Sequence, residues 1–351
     1  MKLIKNKLLI ILFIFAVLFV VLIIRMIKDY GEATVGNQAK IIKNEKNDYK
    51  PYVGEINKSV FVPYWSLALN DGLNTYDRLI YFGILGTVDG INTDESGYIN
   101  LQKFLSISSK QSEKYLTVRM TNTQENLLIL KNKDSMAQII DVSINIANQY
   151  GFSGLVLDLE ISVLFGDEVI NQISTFSNDF YRKSKENNLN YSIAIYGDLF
   201  YRGRPYDLAT LAKNSDEIMI MAYDFHKSIG EPGPNFPLNG REIYGYDMEM
   251  LMDDFLQYVG PKKITVIFGM YGYDWIVDEQ ERPIKAAQVL TLNQIRSKHS
   301  NDCNEERCEF VDDADRRHVI WFENEESVAK KIEYLKSRGI GSFAYWAAGY
   351  F

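Results

Sequence analysis

The sequence is poor in the residues on which several classes of chemistry depend. It contains two cysteines and three histidines in 351 residues. The histidines, His226, His299 and His318, show no ligand spacing with Cys303 and Cys308, so a metal site is not expected. No G-x-G-x-x-G turn follows any of the β-type runs, which excludes a dinucleotide-binding fold. We therefore expect no cofactor.

Acidic residues outnumber basic ones. The net charge is -8, and no basic block occurs outside the N-terminus, which argues against nucleic acid as a partner. The 46% of hydrophobic residues is enough for a large core. One α/β barrel of about 250 residues or two smaller domains would both fit this length. The many aromatic rings suit a sugar-binding surface and an ordinary core equally well.

The two cysteines lie five residues apart in the polar stretch HSNDCNEERCEF. Outside the cytoplasm Cys303 and Cys308 could close a small disulfide loop, whereas in the cytoplasm they would remain thiols. The sequence leaves both alternatives open.

The longest apolar run is at the N-terminus. Residues 1–7 are basic, and residues 8–24 contain no charge. This run is close to the minimum that spans a bilayer, and no A-x-A cleavage site follows it directly. It predicts an uncleaved signal anchor over residues 1–28, with the N-terminus inside, a polar linker over residues 29–57 and an extracytoplasmic domain over residues 58–351. A cleaved signal peptide of a secreted protein is the alternative.

From residue 58 onward, short β-type runs alternate with helical patterns. The strand candidates are 59–65, 79–85, 115–120, 155–160, 191–196, 217–223, 264–272 and 342–347, and clear helical patterns occupy 136–149, 169–187, 248–259 and 325–338. Eight parallel strands with intervening helices predict a closed (β/α)8 TIM barrel rather than a doubly wound sheet.

Two departures from a regular barrel are expected. A small α+β insertion at about 277–324, with a helix at 286–298 and a hairpin at 310–323, separates strands 7 and 8 and would wall a groove at the C-terminal face. No eighth helix follows the last strand before Phe351, so we expect other residues to cover its outer face.

The stretch GFSGLVLDLE, residues 151–160, is the strongest candidate for chemistry. Residues two apart on a strand point to the same face, so Asp158 and Glu160 should project together. Two such acids are costly to bury unless they are paired or used. In the alternative interpretation, Asp158 caps a turn and Glu160 is solvated.

Other polar and aromatic side chains follow the later strands. In a TIM barrel the active site lies where the strands end, so these side chains should converge on one face. An acid to protonate a leaving oxygen, polar groups and an indole floor form a glycosidase-like set. Besides Asp158 and Glu160, the set comprises Tyr223, Asp224, Tyr271, Tyr273, Asp274, Trp275, Tyr345 and Trp346.

Four segments together resemble family 18 glycoside hydrolases, the chitinase family. GFSGLVLDLE resembles the family's D-G-x-D-x-D-x-E signature, MAYDFH its M-x-Y-D segment, FGMYGYDW its G-x-P-x-Y-G-x-x-W segment and SFAYWAAG its strand-eight tryptophan segment. They occur in the family's order from about residue 59 to the end. The finer resemblance, through GYDW and VIWFENEESVAKKIEYLKSRGIGSFAYW, is to the bacterial spore-cortex and cell-wall N-acetylglucosaminidase branch.

The resemblance implies a role for each matched residue. Glu160 aligns with the general acid, Asp158 with the carboxylate that orients the substrate's N-acetyl group, and Tyr223 with the hydroxyl that binds the same group. Trp346 would form the floor beneath the reacting sugar, and Asp224 and Tyr271 are candidate substrate contacts. The implied enzyme is a retaining glycosidase whose substrate acetamide acts as the nucleophile. Its expected partner is an N-acetylglucosamine-containing polysaccharide, either peptidoglycan, spore cortex or chitin.

The chain departs from the family pattern at three positions. Ser153 and Val156 stand where the signature has aspartates, and Met270 replaces a proline. Val156 faces inward with Asp158, which puts the rate in question. Two alternatives to an enzyme therefore stay open: a barrel that only binds glycan, and an envelope scaffold that binds no sugar.

The two acids should also affect each other's proton affinity. Asp158 beside Glu160 is a like-charge pair, which predicts that one of them keeps its proton near neutral pH unless a nearby Arg or Lys cancels the effect.

Overall fold

The computed structural model describes residues 49–68, 72–108, 112–163, 166–299 and 303–351. The predicted anchor over 1–28 and most of the predicted linker over 29–57 lie outside the described residues. Within the described ranges, no helix has both the length and the apolarity needed to cross a bilayer.

Eight parallel strands form a closed barrel, as predicted. They are β1 (Asn57–Pro63), β2 (Arg78–Thr87), β4 (Glu113–Met120), β5 (Gly154–Leu159), β6 (Asn190–Tyr196), β7 (Glu217–Ala222), β8 (Ile264–Gly269) and β14 (Ser342–Trp346). Pairing of β1 with both β14 and β2 closes the ring. A short strand, β3 (Gly90–Asn92), pairs antiparallel with the end of β2. The (β/α)8 fold is thus confirmed.

Helices connect the strands and cover the barrel. They are α1 (Ser96–Ile99), α2 (Leu101–Ile107), α3 (Thr123–Lys131), α4 (Lys133–Tyr150), α5 (Asp167–Glu186), α6 (Leu208–Lys213), α7 (Arg241–Tyr244), α8 (Met248–Phe255), α9 (Leu292–His299) and α10 (Glu325–Ser337). Helix α4 begins where the side chain of Asn132 accepts hydrogen bonds from two backbone N–H groups, and it ends at Gly151, whose φ is 70°. That turn leads the chain directly into β5.

The insertion begins earlier than the sequence predicted. The chain turns at Met270, whose backbone N–H donates to the carbonyl of Trp346, so the seventh barrel strand ends at Gly269 instead of continuing to 272. Tyr271 then opens β9 (Tyr271–Val277), the centre of a separate antiparallel sheet with β10 (Gln288–Thr291), β11 (Cys303–Asn304), β12 (Arg307–Val311) and β13 (Arg317–Phe322). The predicted hairpin at 310–323 is confirmed by the pairing of β12 with β13.

The helix predicted at 286–298 was wrong at its start. Residues 288–291 pair with β9 as a strand, and the helix begins only after Thr291. The Thr291 hydroxyl accepts from the backbone N–H of Gln294, while the Gln294 side chain accepts from the N–H of Thr291. This reciprocal capping pattern, readable as T-x-x-Q, fixes the helix start.

The outer face of the last strand is covered without an eighth helix. Phe343 is fully buried and stacks on Phe268 of the neighbouring strand. The ring of Tyr345 packs against Tyr76 and Phe351. Aromatic side chains from loops, from β8 and from the residues after β14 therefore cover this face.

A buried ion pair joins α10 to the end of β13. Lys331 and Glu323 are 3% and 1% exposed in their side chains, and the Nζ of Lys331 contacts Oε2 of Glu323. We expect Lys331→Ala to lower the free energy of unfolding by about 3–5 kcal/mol, because the carboxylate of Glu323 would be left buried without its counter-charge. Urea denaturation of the purified protein measures the change.

The neighbouring lysine is the matched control. Lys330 is 51% exposed and contacts Glu326 at 3.3 Å. Lys330→Ala should change the free energy of unfolding by less than about 1 kcal/mol, because an exposed ion pair contributes little. Equal destabilisation by the two substitutions would contradict the argument from burial.

Candidate active site

A cavity of about 320 Å³ opens at the carboxyl ends of the barrel strands. The six side chains to which the family resemblance gives a role line it: Asp158, Glu160, Tyr223, Asp224, Tyr271 and Trp346. The other four of the predicted strand-end set do not line it: Tyr273, Asp274, Trp275 and Tyr345. The same cavity is also lined by Phe61, Trp65, Phe82, Arg119 and Thr121 from the first three barrel strands and the residues that follow them. Parallel strands bring their ends to one face, which is why residues from distant parts of the sequence meet here.

Strand β5 delivers the two acids. Its alternation places Val156 and Asp158 toward the barrel interior, where Val156 is fully buried and Asp158 is 5% exposed. Glu160 follows at the strand end and is partly exposed. The alternative in which Asp158 caps a turn and Glu160 is solvated is therefore wrong, because both carboxyl groups line the cavity.

Burial dominates the proton affinity of Asp158. It raises the pKa of this carboxyl well above its usual value, and the nearby charge of Glu160 raises it further. Arg119, which lies opposite Asp158 in the pairing of β4 with β5, lowers the pKa but does not reverse the shift. The sequence analysis noted that a nearby Arg or Lys could cancel the upward shift, and Arg119 is such a residue. Its guanidinium also pairs with Glu95 at 2.7 Å.

Glu160 has a more mixed environment. Burial raises the pKa of its carboxyl, and the hydrogen bond from the Tyr196 hydroxyl, at 2.8 Å, lowers it. The positive charge of Lys227 also lowers the pKa of Glu160, whereas Asp224 raises it. The net shift is upward, which favours a protonated carboxylic acid at higher pH than in an exposed glutamate.

Tyr223, Asp224 and Tyr271 form one connected group beside the acids. Burial and the neighbouring carboxylates raise the pKa of Tyr223 well above its usual value, so the group stays a neutral hydroxyl. The hydroxyls of Tyr271 and Tyr273 both donate to Oδ1 of Asp224, the latter at 2.7 Å. Asp224 has φ of 57°, and its backbone N–H donates to Asn235 at 2.8 Å. Two tyrosine hydroxyls thus hold the side chain of Asp224, and the side chain of Asn235 holds its backbone.

An aromatic wall also lines the cavity. The ring of Trp346 packs edge-on against Phe82 at 4.7 Å between centroids and lies 5.6 Å from Phe61. Trp65, which is 50% exposed, extends the wall at 6.3 Å from Trp346. Indole faces of this kind suit the apolar face of a pyranose ring.

Sequence reasoning missed Trp65, Arg119 and Tyr196. Each lies at or near the carboxyl end of a barrel strand, after β1, in β4 and at the end of β6 respectively. Applying the strand-end criterion to the first, third and fifth barrel strands would have found them.

Some residues near the strand ends are buried away from the cavity or lie at its edge. Trp275 is fully buried and does not line the cavity. Arg204 is 6% exposed because its guanidinium is held by Asp198. Arg241 is exposed at the start of α7, and the ring of His226 contacts the carbonyl of Pro234 at 2.8 Å.

A second cavity, of about 380 Å³, lies between the β7–α8 connection, the insertion and α10. Trp321 is among its lining residues, but none of the six predicted site residues is. Within the described ranges, no group of three or more His, Cys, Asp or Glu side chains is placed to hold a metal ion. The first cavity, with its acids and indoles, is therefore the candidate active site.

Known proteins resemble the chain in sequence and in fold. A cortical fragment-lytic enzyme of Bacillus subtilis (strain 168) is 22% identical over 235 residues, which is 63% of this chain and 52% of that enzyme, so the chain spans about half of that relative's length. The spore cortex-lytic enzyme SleL of Bacillus cereus superimposes with a TM-score of 0.68 at 17% identity, covering 86% of this chain and 72% of SleL. A class V chitinase of Nicotiana tobaccum in complex with NAG4 superimposes with a TM-score of 0.71 at 19% identity, covering 84% and 94%.

The family itself is shown by a match that runs through nearly all of the barrel. The family model described as glycosyl hydrolases family 18 matches residues 52–350, from just before β1 to just after β14. The resemblance to the spore-cortex branch is confirmed by the relatives named above. The chain belongs to family 18 of the glycosyl hydrolases.

Proposed function

We propose that this protein is a retaining glycosidase that cleaves β-1,4 linkages next to N-acetylglucosamine in cell-wall glycan, with the substrate's own acetamide as nucleophile. The observation that carries the proposal is the meeting of Asp158, Glu160 and Tyr223 with the indole of Trp346 around one cavity. Family membership supports a hydrolase of N-acetylglucosamine-containing glycan.

In the first step, Glu160 donates its proton to the glycosidic oxygen while the acetamide oxygen attacks the anomeric carbon. The bond between the anomeric carbon and the glycosidic oxygen breaks, and an oxazolinium ion forms. Asp158 and the Tyr223 hydroxyl hold the acetamide, and Asp158 in its ionised form balances the positive charge that develops on the acetamide nitrogen. The raised pKa of Glu160 supports its role as the acid.

In the second step, Glu160 acts as the base. The carboxylate takes a proton from water, and the resulting hydroxide equivalent attacks the anomeric carbon and reopens the ring of the intermediate. Two inversions at the anomeric carbon give net retention. The distance rule for paired catalytic carboxylates does not apply, because the substrate's acetamide takes the place of the second carboxylate.

Spore cortex or other peptidoglycan is the first candidate substrate, because the named Bacillus proteins are a cortical fragment-lytic and a spore cortex-lytic enzyme. A chito-oligosaccharide is the second candidate, because the tobacco chitinase of the same fold was solved with NAG4. A barrel that binds glycan without turnover is the candidate from a different class.

The proposed location is outside the cytoplasm, on an N-terminal membrane anchor. The disulfide between Cys303 and Cys308 supports an oxidising compartment. It joins β11 to β12 at the end of the insertion sheet.

Digestion of purified peptidoglycan and of chito-oligosaccharides by the purified protein tests the proposal. Mass spectrometry should find peptidoglycan fragments with N-acetylglucosamine at the reducing end. Proton NMR at early times should find the β-anomer of that end first, because retention preserves the configuration of the cleaved bond. Fragments that appear first as the α-anomer would contradict acetamide participation, and release from chito-oligosaccharides alone would favour the second substrate.

A further inference from the structure

Tyr196 makes a hydrogen bond to the candidate acid that the proposed mechanism has not used. It is the last residue of β6, is 9% exposed, and its hydroxyl donates to Oε2 of Glu160 at 2.8 Å. Among the described residues, no other hydrogen bond reaches the Glu160 carboxyl, so Oε1 is unengaged. The two carboxyl oxygens of Glu160 are therefore not equivalent.

The ring of Tyr196 is itself fixed by a buried cation. The guanidinium carbon of Arg204 lies 4.1 Å from the centroid of this ring, within the range of a cation–π contact. Asp198 accepts from Nε and Nη2 of Arg204, each at 2.9 Å, and the carbonyl of Ser162 accepts from Nη1 at 2.9 Å. The side chain of Arg204 is only 4% exposed, so bulk water does not compete for its contact with the Tyr196 ring. Asp198, Arg204 and Tyr196 form a continuous buried support that ends on Glu160.

We propose that Tyr196, held by Arg204, is a positioning residue that engages Oε2 of Glu160 and so assigns to Oε1 the delivery of the proton to the glycosidic oxygen. This inference rests on the proposed function for one point, that the group receiving the proton is a glycosidic oxygen. The engagement of Oε2 rests on the geometry alone.

The same hydrogen bond affects both halves of the reaction. When Oε1 gives its proton to the leaving oxygen, the carboxylate that forms keeps a donor on Oε2, which stabilises the new negative charge. When Glu160 then takes a proton from water, the bond holds the carboxylate in the orientation it had before. The burial that raises the pKa of Glu160 is thus partly offset by Tyr196, which lowers it.

Other charged and titratable groups face Glu160 from the surrounding elements and must stay unchanged in a test. They are Arg119 at the end of β4, Asp158 on β5, Arg204 and Tyr206 after β6, and Tyr223, Asp224 and Lys227 at and after the end of β7. A substitution that removes only the Tyr196 hydroxyl leaves all of them in place.

The test is Tyr196→Phe in the full-length protein. We expect kcat to fall about 10- to 100-fold with KM little changed, because orientation of the acid is lost while the cavity is kept. The basic limb of the pH profile should move up by about one to two pH units, since that limb reports the loss of the Glu160 proton and a donor to its carboxylate has gone.

Tyr191→Phe is the matched control. Tyr191 lies on the same strand, is fully buried, and its hydroxyl contacts Ser177 at 3.0 Å instead of a carboxyl group. Tyr191→Phe should lower the unfolding temperature about as much as Tyr196→Phe does, because each removes one buried hydroxyl. It should leave the position of the basic limb of the pH profile unchanged. A basic limb that moves equally in both variants would overturn the proposal.

A second readout does not depend on turnover. Carbon-13 NMR of the carboxyl groups, with the Glu160 signal identified by its loss in Glu160→Gln, gives the titration of this residue directly. The Glu160 midpoint should rise in Tyr196→Phe and stay in place in Tyr191→Phe. An unchanged midpoint in Tyr196→Phe would overturn the inference, whereas a raised midpoint in a protein that cleaves no glycan would overturn the proposed function and leave the hydrogen-bond role standing.

Discussion

Replacing Glu160 with glutamine is expected to reduce kcat/KM on peptidoglycan about 10²- to 10⁴-fold, the contribution of a positioned general acid. The substitution changes one atom, and the amide oxygen can still accept from the Tyr196 hydroxyl that now reaches Oε2. The amide N–H is not acidic enough to protonate the glycosidic oxygen, which would otherwise have to leave as a strongly basic alkoxide. Release of reducing ends from purified peptidoglycan by wild type and by Glu160→Gln measures the loss.

The size of the loss should depend on the leaving group. Fluorogenic chito-oligosaccharides carry an acidic phenol that needs little protonation, so Glu160→Gln should lose less activity on them than on peptidoglycan. The contrast separates loss of the acid from general damage to the cavity, which would affect both substrates equally. Equal, near-zero release from wild type and variant on both substrates would favour a barrel that binds glycan without turnover.

Replacing Asp158 with asparagine is expected to lower kcat about 100-fold or more and, at the same time, to stabilise the fold at neutral pH. Activity should fall because the acetamide loses the carboxylate that orients it and balances its developing charge. Stability should rise because burial holds the pKa of Asp158 well above its usual value in the folded protein, so the ionised form opposes folding.

The sign of the stability effect fixes its pH dependence. A carboxyl whose pKa is raised on folding costs nothing below the unfolded pKa of about 4; its cost grows as the pH rises from there to the folded pKa and is constant above it. The unfolding temperatures of wild type and Asp158→Asn should therefore agree near pH 4 and diverge by pH 8, with the variant more stable. A variant less stable than wild type at pH 8 would mean that Arg119 outweighs burial.

Asp254→Asn is the matched control for that experiment. Burial also raises the pKa of Asp254, which lies on α8 and accepts from the Tyr246 hydroxyl at 2.9 Å. Its replacement should stabilise the protein with the same sign of pH dependence and leave activity at the wild-type level. Full activity in Asp158→Asn would contradict the acetamide mechanism.

The barrel was predictable because its strands carry strong local signals. Each is a short apolar run between turn residues, and the alternation in β5 fixed which face Asp158 and Glu160 share. The errors came where the chain leaves that regular pattern. The apolar run from Ile264 to Gly272 continues through the turn at Met270, so hydrophobicity alone did not divide β8 from β9.

By itself, the sequence determined the order of the strands, the common face of the two acids and the residues that end the fourth, sixth and eighth barrel strands. These features follow from local periodicity and from the rule that parallel strands end on one face. The resemblance of four segments to one family then pointed to the chemistry.

Only the tertiary structure decided the environment of the acids. Tyr196 is 36 residues from the carboxyl group it contacts, and Arg119 reaches Asp158 through the pairing of neighbouring strands. Proton affinity depends on burial and on charges within a few ångströms. Neither quantity is encoded in the spacing of residues along the chain, because both arise only when the closed barrel brings separate strands together.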